Sequence, residues 1–204
     1  MSEPRLRVSA LTVRLGRTFV MGPLTVEAEH GVVHLAGANG SGKTTALRAM
    51  CGELGAHTGH VHVEGLDVHR KKHARRRIAL VPATPELPAF LTVREAWQFT
   101  ASLRGAPQWS GETYCESLAL PPTLPLAHAS AGQRRKAELV CGLAGEPSVL
   151  LLDETFAHLD SASAQQLAEW IAQWALTRVV VLTHHGEPPV RVAQTVPVPA
   201  SSTP

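Results

Sequence analysis

The segment Gly37 to Thr45, GANGSGKTT, constrains this chain more than any other. Gly37, Gly42, Lys43 and Thr44 satisfy G-x-x-x-x-G-K-[ST], the pattern of a phosphate-cradling loop. Backbone N–H groups converge on one anion only if the chain curls tightly, and glycine permits the curl because it has no Cβ to clash. Lys43 supplies a flexible ammonium, and the Thr44 hydroxyl is placed to bind Mg²⁺. Gly37, Ala38, Asn39, Gly40, Ser41, Gly42, Lys43, Thr44 and Thr45 together form the candidate nucleotide-binding loop. The flanks agree. Val32 to Ala36 reads as a short buried strand, and Thr45 to Cys51 as a helix whose N-terminus points its favourable dipole at phosphate.

Val149 to Leu152 is an unbroken apolar run ending in Asp153-Glu154. Carboxylates at the end of such a run fit the C-terminal end of a buried parallel strand, where ligands gather in open α/β sheets. Asp153 can hold Mg²⁺ there, and Glu154 can polarise an attacking water as a general base.

Between these two strings lies Ala129-Ser130-Ala131-Gly132-Gln133, followed by Arg134, Arg135, Lys136 and an amphipathic stretch to Leu143. Ser130 is a plausible N-cap, so its hydroxyl and the Gly132 amide can face an anion. The string resembles the LSGGQ signature of ATP-binding cassette (ABC) ATPases. The order of P-loop, signature, acid strand, Leu159-Asp160 and Thr183-His184 spans nearly the whole chain.

The resemblance implies an ATPase subunit that splits ATP with water to ADP and phosphate. It implies ATP and Mg²⁺ as cofactors, and a homodimer or heterodimer of cassettes that drives a separate transmembrane permease. Ser130, Gly132 and Gln133 would act on the nucleotide held by the other subunit. Thr44 and Asp153 would bind Mg²⁺, and Glu154 would be the catalytic base. Asp160 matches the D-loop Asp that helps couple the two sites, and His184 the switch histidine. His185 is adjacent and would take that role if the strand aligned one residue differently. The SAGQ spelling is similar to that of small haem-export subunits of cytochrome c maturation and suggests export.

Two departures stand out. Ile78 to Trp97 looks like the family's Q-loop region, where Pro-Gln usually follows the strand. Here Ala83 and Thr84 follow Pro82, so metal affinity or coupling to the transporter is altered, and a nucleotide-gated module with little hydrolysis becomes the alternative. Leu15 holds the place of the aromatic that usually stacks on adenine, with Phe19 the nearest substitute. Thr155-Phe156 also replace the usual Pro-Thr after the acid pair.

The 204 residues suit one α/β domain. The reading is a P-loop NTPase fold with an antiparallel β edge and an inserted helical subdomain. The core is expected over 1–85 and 147–196, the helical subdomain over about 86–146, and a frayed tail over 197–204. Leu6–Val13, Leu24–Ala28 and Gly59–Val63 read as the β edge. Thr92–Leu103 reads as a helix opened by a Thr92/Glu95 capping box, with Ser110–Ala119 as a further helix. Ala162–Trp174 is a helix with Leu167, Trp170, Ile171 and Trp174 along one face. The chain is short for the family, and no added C-terminal regulatory domain is expected.

No apolar run is long enough to span a bilayer, and no secretory pattern opens the chain. Three widely spaced cysteines, Cys51, Cys115 and Cys141, argue for a reducing compartment rather than a disulfide framework. The expected location is cytoplasmic, on the inner face of the cell membrane through the permease. A net charge of +2 forces no partner. The basic run Arg70 to Arg77 reads as a solvated face, so no nucleic-acid partner is expected. A soluble cassette acting on ribosomes or DNA is the rival that run motivates, and a P-loop kinase is the rival that ASAGQ opposes.

Overall fold

The computed structural model describes residues 3–15, 18–157 and 159–199, with the backbone alone at 15 and 18–20. Two sheets organise it. Strands β1 (Leu6–Leu15), β2 (Thr18–Ala28), β4 (Thr58–Val63) and β5 (Leu66–Asp67) form an antiparallel sheet in the order β2-β1-β4-β5. Strands β3 (Gly31–Ala36), β6 (Ile78–Val81), β7 (Val149–Leu152), β8 (Val179–Thr183) and β9 (Gln194–Pro197) form a parallel sheet in the order β6-β7-β8-β3-β9. β7 and β8 are buried at every position, as expected for strands covered on both faces.

The antiparallel edge lies where the alternating apolar pattern places it, but β2 begins earlier than the expected Leu24. It continues back through Gly22, whose φ is +120° and whose added Cβ would lie 2.6 Å from the Leu11 carbonyl oxygen. Only glycine lets the two backbones approach so closely while the pairing shifts register.

One hydrophobic layer lies between the two sheets and encloses α1 (Lys43–Met50). Leu6, Leu11, Met21, Leu47 and Leu151 are buried there. The other face of the parallel sheet carries the remaining main helices. These are α3 (Val93–Leu103), α4 (Glu112–Ser117), α5 (Ala131–Leu143) and α6 (Ser161–Trp174). The basic run forms a single turn, α2 (Lys72–Arg75).

Helices α3, α4 and α5 are inserted between β6 and β7. The capping box of α3 is present as read, with Thr92 and Glu95 bonding each other's backbone N–H. An aromatic chain ties the insertion to the core. Trp97 meets Trp109 edge-on, Trp109 stacks on Tyr114, and Tyr114 meets Trp170 of α6 at 5.1 Å between ring centres. Such pairs add about 0.5–1.5 kcal/mol each beyond the area they bury.

The expected frayed tail is corrected in its first residues. Pro197 closes β9, Val198 N donates to Ala36 O at 2.7 Å, and Val198 is buried. Val196 and Val198 reach the core layer between the sheets, so burial outweighs the fraying expected of a chain end.

Candidate functional site

The parallel sheet order explains why distant strings meet. β7, β8 and β3 are neighbours, so their C-terminal ends lie side by side. The acid pair follows β7, Thr183 ends β8, and the Gly37–Thr45 loop follows β3.

The loop is curled as its glycines require. Gly42 caps α1 in the left-handed region at φ 97°, and a Cβ on Gly37 would lie 2.5 Å from Ser41 Oγ. Lys43 Nζ donates to the Gly37 and Ala38 carbonyls at 2.7 and 2.9 Å, which holds the ammonium inside the curl. The buried Ser41 Oγ has no partner.

Asp153 is fully buried and anchored by two hydroxyls. Thr44 Oγ1 donates to its Oδ2 and Thr183 Oγ1 to its Oδ1, both at 2.7 Å. Thr183 Oγ1 also accepts from Glu154 N at 2.9 Å. One hydroxyl therefore sets the positions of both acids, a role that the sequence reading missed. The visible signal was a threonine placed directly after an apolar strand. Glu154 sits in the left-handed region at φ 45°. Such conformations are uncommon for a non-glycine residue and persist where surrounding contacts impose them.

An open cleft of about 400 Å³ lies over the loop, lined by Asn39, Gly40, Gly42, Lys43, Thr44, Thr45, Glu154 and His185. The donor set around Thr44 and Asp153 is all oxygen, which suits a hard divalent cation. Mg²⁺ characteristically takes one or two carboxylates and completes its shell with phosphate and water. These residues fit that ion.

The histidines separate. His185 Nε2 stands 3.1 Å from Glu154 Oε1, whereas the His184 ring packs edge-on against Phe156 at 5.7 Å. Burial first, then the neighbouring His34 and His185, push the His184 pKa below the ordinary imidazole range, with Glu154 opposing. The structure thus brings His185 into the cleft, and His184 is not among its lining residues.

The signature string lies elsewhere. Ser130 is the exposed N-cap of α5, in a capping box with Gln133. Ser130 Oγ accepts from Gln133 N at 3.2 Å, and Gln133 Oε1 accepts from Ser130 N at 2.9 Å. Neither these residues nor Gly132 lines the phosphate cleft. Asp160 caps α6 by accepting from Ser163 N at 2.8 Å, and it pairs with Lys136 of α5 at 3.0 Å. The Ser163 backbone N–H, Lys136 and the Ser163 hydroxyl hold its carboxyl well below the usual carboxylate range.

Ala83 and Thr84 are also outside the cleft. With Pro85 they line a separate cavity of about 280 Å³, closed on its far side by Ala131, Arg134 and Arg135. The Thr84 hydroxyl therefore does not take the missing Gln's place beside Asp153. The side chains of Leu15 and Phe19, weighed for base contact, lie outside the described residues.

Several members of the basic run have local partners. Arg75 Nε donates to Val68 O at 3.0 Å, Arg70 pairs with Asp67, and Arg77 pairs with Glu64.

Residues 23–157 match the ABC transporter family. An ABC transporter ATP-binding protein of Streptomyces coelicolor is 37% identical over 74% of this chain and 62% of its own length. The sulfate/thiosulfate import ATP-binding protein CysA of Salmonella typhi is 31% identical over 95% of this chain and 57% of its own length. The chain thus spans roughly three fifths of the length of these relatives. A solved ATP-binding subunit of an ABC transporter superposes with a TM-score of 0.81 at 26% identity, covering 88% of this chain and 79% of that one. The matched span includes the P-loop, the signature and the acid strand, and the fold agrees over most of the chain: this chain belongs to the ABC transporter family.

Proposed function

We propose that this chain is the ATP-binding and ATP-hydrolysing subunit of an ABC transporter, acting as one half of a cassette dimer that drives a separate membrane permease. The observation that carries this reading is the hydroxyl–carboxylate network in which Thr44, Asp153, Thr183 and Glu154 converge on the P-loop cleft.

In this reading the P-loop amides and Lys43 hold the β- and γ-phosphates of ATP. Thr44 and Asp153 hold Mg²⁺, which neutralises charge developing on the transferred phosphoryl oxygens. Glu154 orients the attacking water and accepts its proton. The pair distance supports His185 as the histidine beside Glu154, and the Thr-His motif order supports His184. Ser130 and Gly132 present an exposed helix N-terminus that suits an anion supplied by another subunit. The inserted helices, about 86–146, are read as a subdomain set into the core of 1–85 and 147–196, with which they share one apolar layer.

Among the described residues no helix is long and apolar enough to cross a membrane. Attachment to the cytoplasmic face through a permease follows from the same reading. The SAGQ spelling supports export, while CysA, a relative of similar sequence, is an import protein. Reconstitution with a co-purified permease, scored for uptake against efflux, decides the direction.

Glu154→Gln tests the core of the proposal. It should reduce hydrolysis by ~10²-fold or more, the low end for loss of a general base, and trap an ATP-bound dimer in sedimentation. Unchanged turnover would remove Glu154 from the role. Ala83 in place of Gln favours one second reading, a nucleotide-gated module with weak or no hydrolysis. Steady ADP release by the wild-type chain with its permease rejects that reading.

A further inference from the structure

The loop that lacks its glutamine is held in another way. Arg135 and Glu138 lie three residues apart on α5, and both are buried, at 1% and 6% exposure. The Arg135 guanidinium donates to three backbone carbonyls: Pro82 O at the end of β6, Asp153 O at 2.8 Å, and Thr155 O at 3.3 Å. Glu138 Oε1 accepts from Leu87 N at 2.9 Å and from Glu86 N. The segment from Pro82 to Leu87 is therefore gripped at both ends by one helix. Between the grips, Ala83, Thr84 and Pro85 face Ala131, Arg134 and Arg135 across the 280 Å³ cavity.

Ser130 caps the same helix. Bonds to buried charged groups are short-range and strong, and a continuous helix moves as a rigid body. A displacement of segment 82–87 must then carry α5 with it, or break buried charged bonds. Arg135 passes the same displacement to the backbone of Asp153 and Thr155. A competing tie, Arg48 of α1 to Glu86, joins half-exposed groups and is weakened by solvent.

We infer that Arg135 and Glu138 are positioning residues that link segment 82–87, where the family's glutamine is absent, to the signature cap Ser130 and to the acid strand. This rests on the reading that Ser130 serves the nucleotide of a second subunit.

The test uses the full-length chain. Glu138→Ala removes both backbone bonds, whereas Glu138→Gln keeps Oε1 as their acceptor. In the Glu154→Gln background, Glu138→Ala should weaken Mg-ATP-dependent dimerisation by tenfold or more in analytical ultracentrifugation. Binding of a fluorescent ATP analogue by the monomer should stay within twofold, and Glu138→Gln should restore the dimer.

Hydrogen exchange supplies a measurement needing no position-138 variant. On adding Mg-ATP, residues 82–87 and 130–136 should gain protection together. The clamp is overturned if Glu138→Ala dimerises normally, if it loses nucleotide binding in step with dimerisation, if Glu138→Gln fails to restore the dimer, or if the two segments gain protection separately. If the Glu154→Gln chain itself forms no ATP-dependent dimer, the two-subunit reading falls first and removes the basis of the clamp.

Discussion

The P-loop cleft and the signature cap both lie at helix N-termini, and both are proposed to meet an anion, yet their surroundings differ. At the cleft, α1 opens onto a pocket that holds an ammonium and Glu154, beside the buried Asp153 carboxylate that two hydroxyls anchor. At the cap, α5 opens onto solvent with Ser130 exposed, and among the cleft-lining residues none comes from its first turn. One set of groups surrounds the cleft, and the other lies apart from it on the first turn of α5. The difference explains why a cassette is proposed to work in pairs. It also makes the two regions separable by mutation.

The largest separation should come from Lys43→Ala. Losing a charged donor in a loop built for phosphate should weaken ATP binding by the monomer by roughly 10²-fold, the upper range for a hydrogen bond to a charged group. Isothermal titration of the monomer reads this directly, and near-normal affinity would break the assignment of the cleft.

Ser130→Asp addresses the other region. Aspartate keeps the N-cap, so the melting temperature should hold. A carboxylate facing a phosphate should nevertheless weaken ATP-dependent dimerisation by about 10-fold, through repulsion of the order of 1.4 kcal/mol, while monomer binding is unchanged. Loss of monomer binding would mean that Ser130 belongs to its own chain's cleft.

The smallest effects concern the histidines. His185→Ala should lower the hydrolysis rate by roughly 10-fold, below the usual range for a group in proton transfer. His184→Ala should lower it less. The reverse order would return the switch role to His184.

His184 also predicts a pH trend. Its folded pKa is depressed, so the folded chain resists a proton that the unfolded chain takes up near the ordinary imidazole range. Stability is therefore full above that range and is lost as pH falls towards the folded pKa. His184→Gln should flatten that slope in urea titrations between neutral and mildly acidic pH.

Much of the phosphate site was legible because its chemistry is written in contiguous residues. Gly37 to Thr45 curl as a unit, and an apolar run ending in two acids takes its meaning from its place after a P-loop and ASAGQ. The capping boxes at Thr92 and Ser130 were equally local. What escaped the sequence depended on neighbours far along the chain. Thr183 anchors Asp153 only because β8 lies beside β7. Arg135 stood in the sequence only as one of three cations after ASAGQ, but its guanidinium donates to three carbonyls that follow two other strands. Pro197 and Val198 read as the start of a loose tail; instead Pro197 closes β9 beside β3, and Val198 is buried and bonds Ala36.

The sequence by itself determined the family, because a phosphate loop, a signature and an acid pair in that order leave few alternatives and each is made of adjacent residues. The tertiary structure alone decided which histidine stands beside Glu154, where the glutamine-less loop is fastened, and that the signature does not line its own chain's phosphate cleft. Those facts depend on strand order and on buried hydrogen bonds between distant segments. Pattern along a chain carries no record of either.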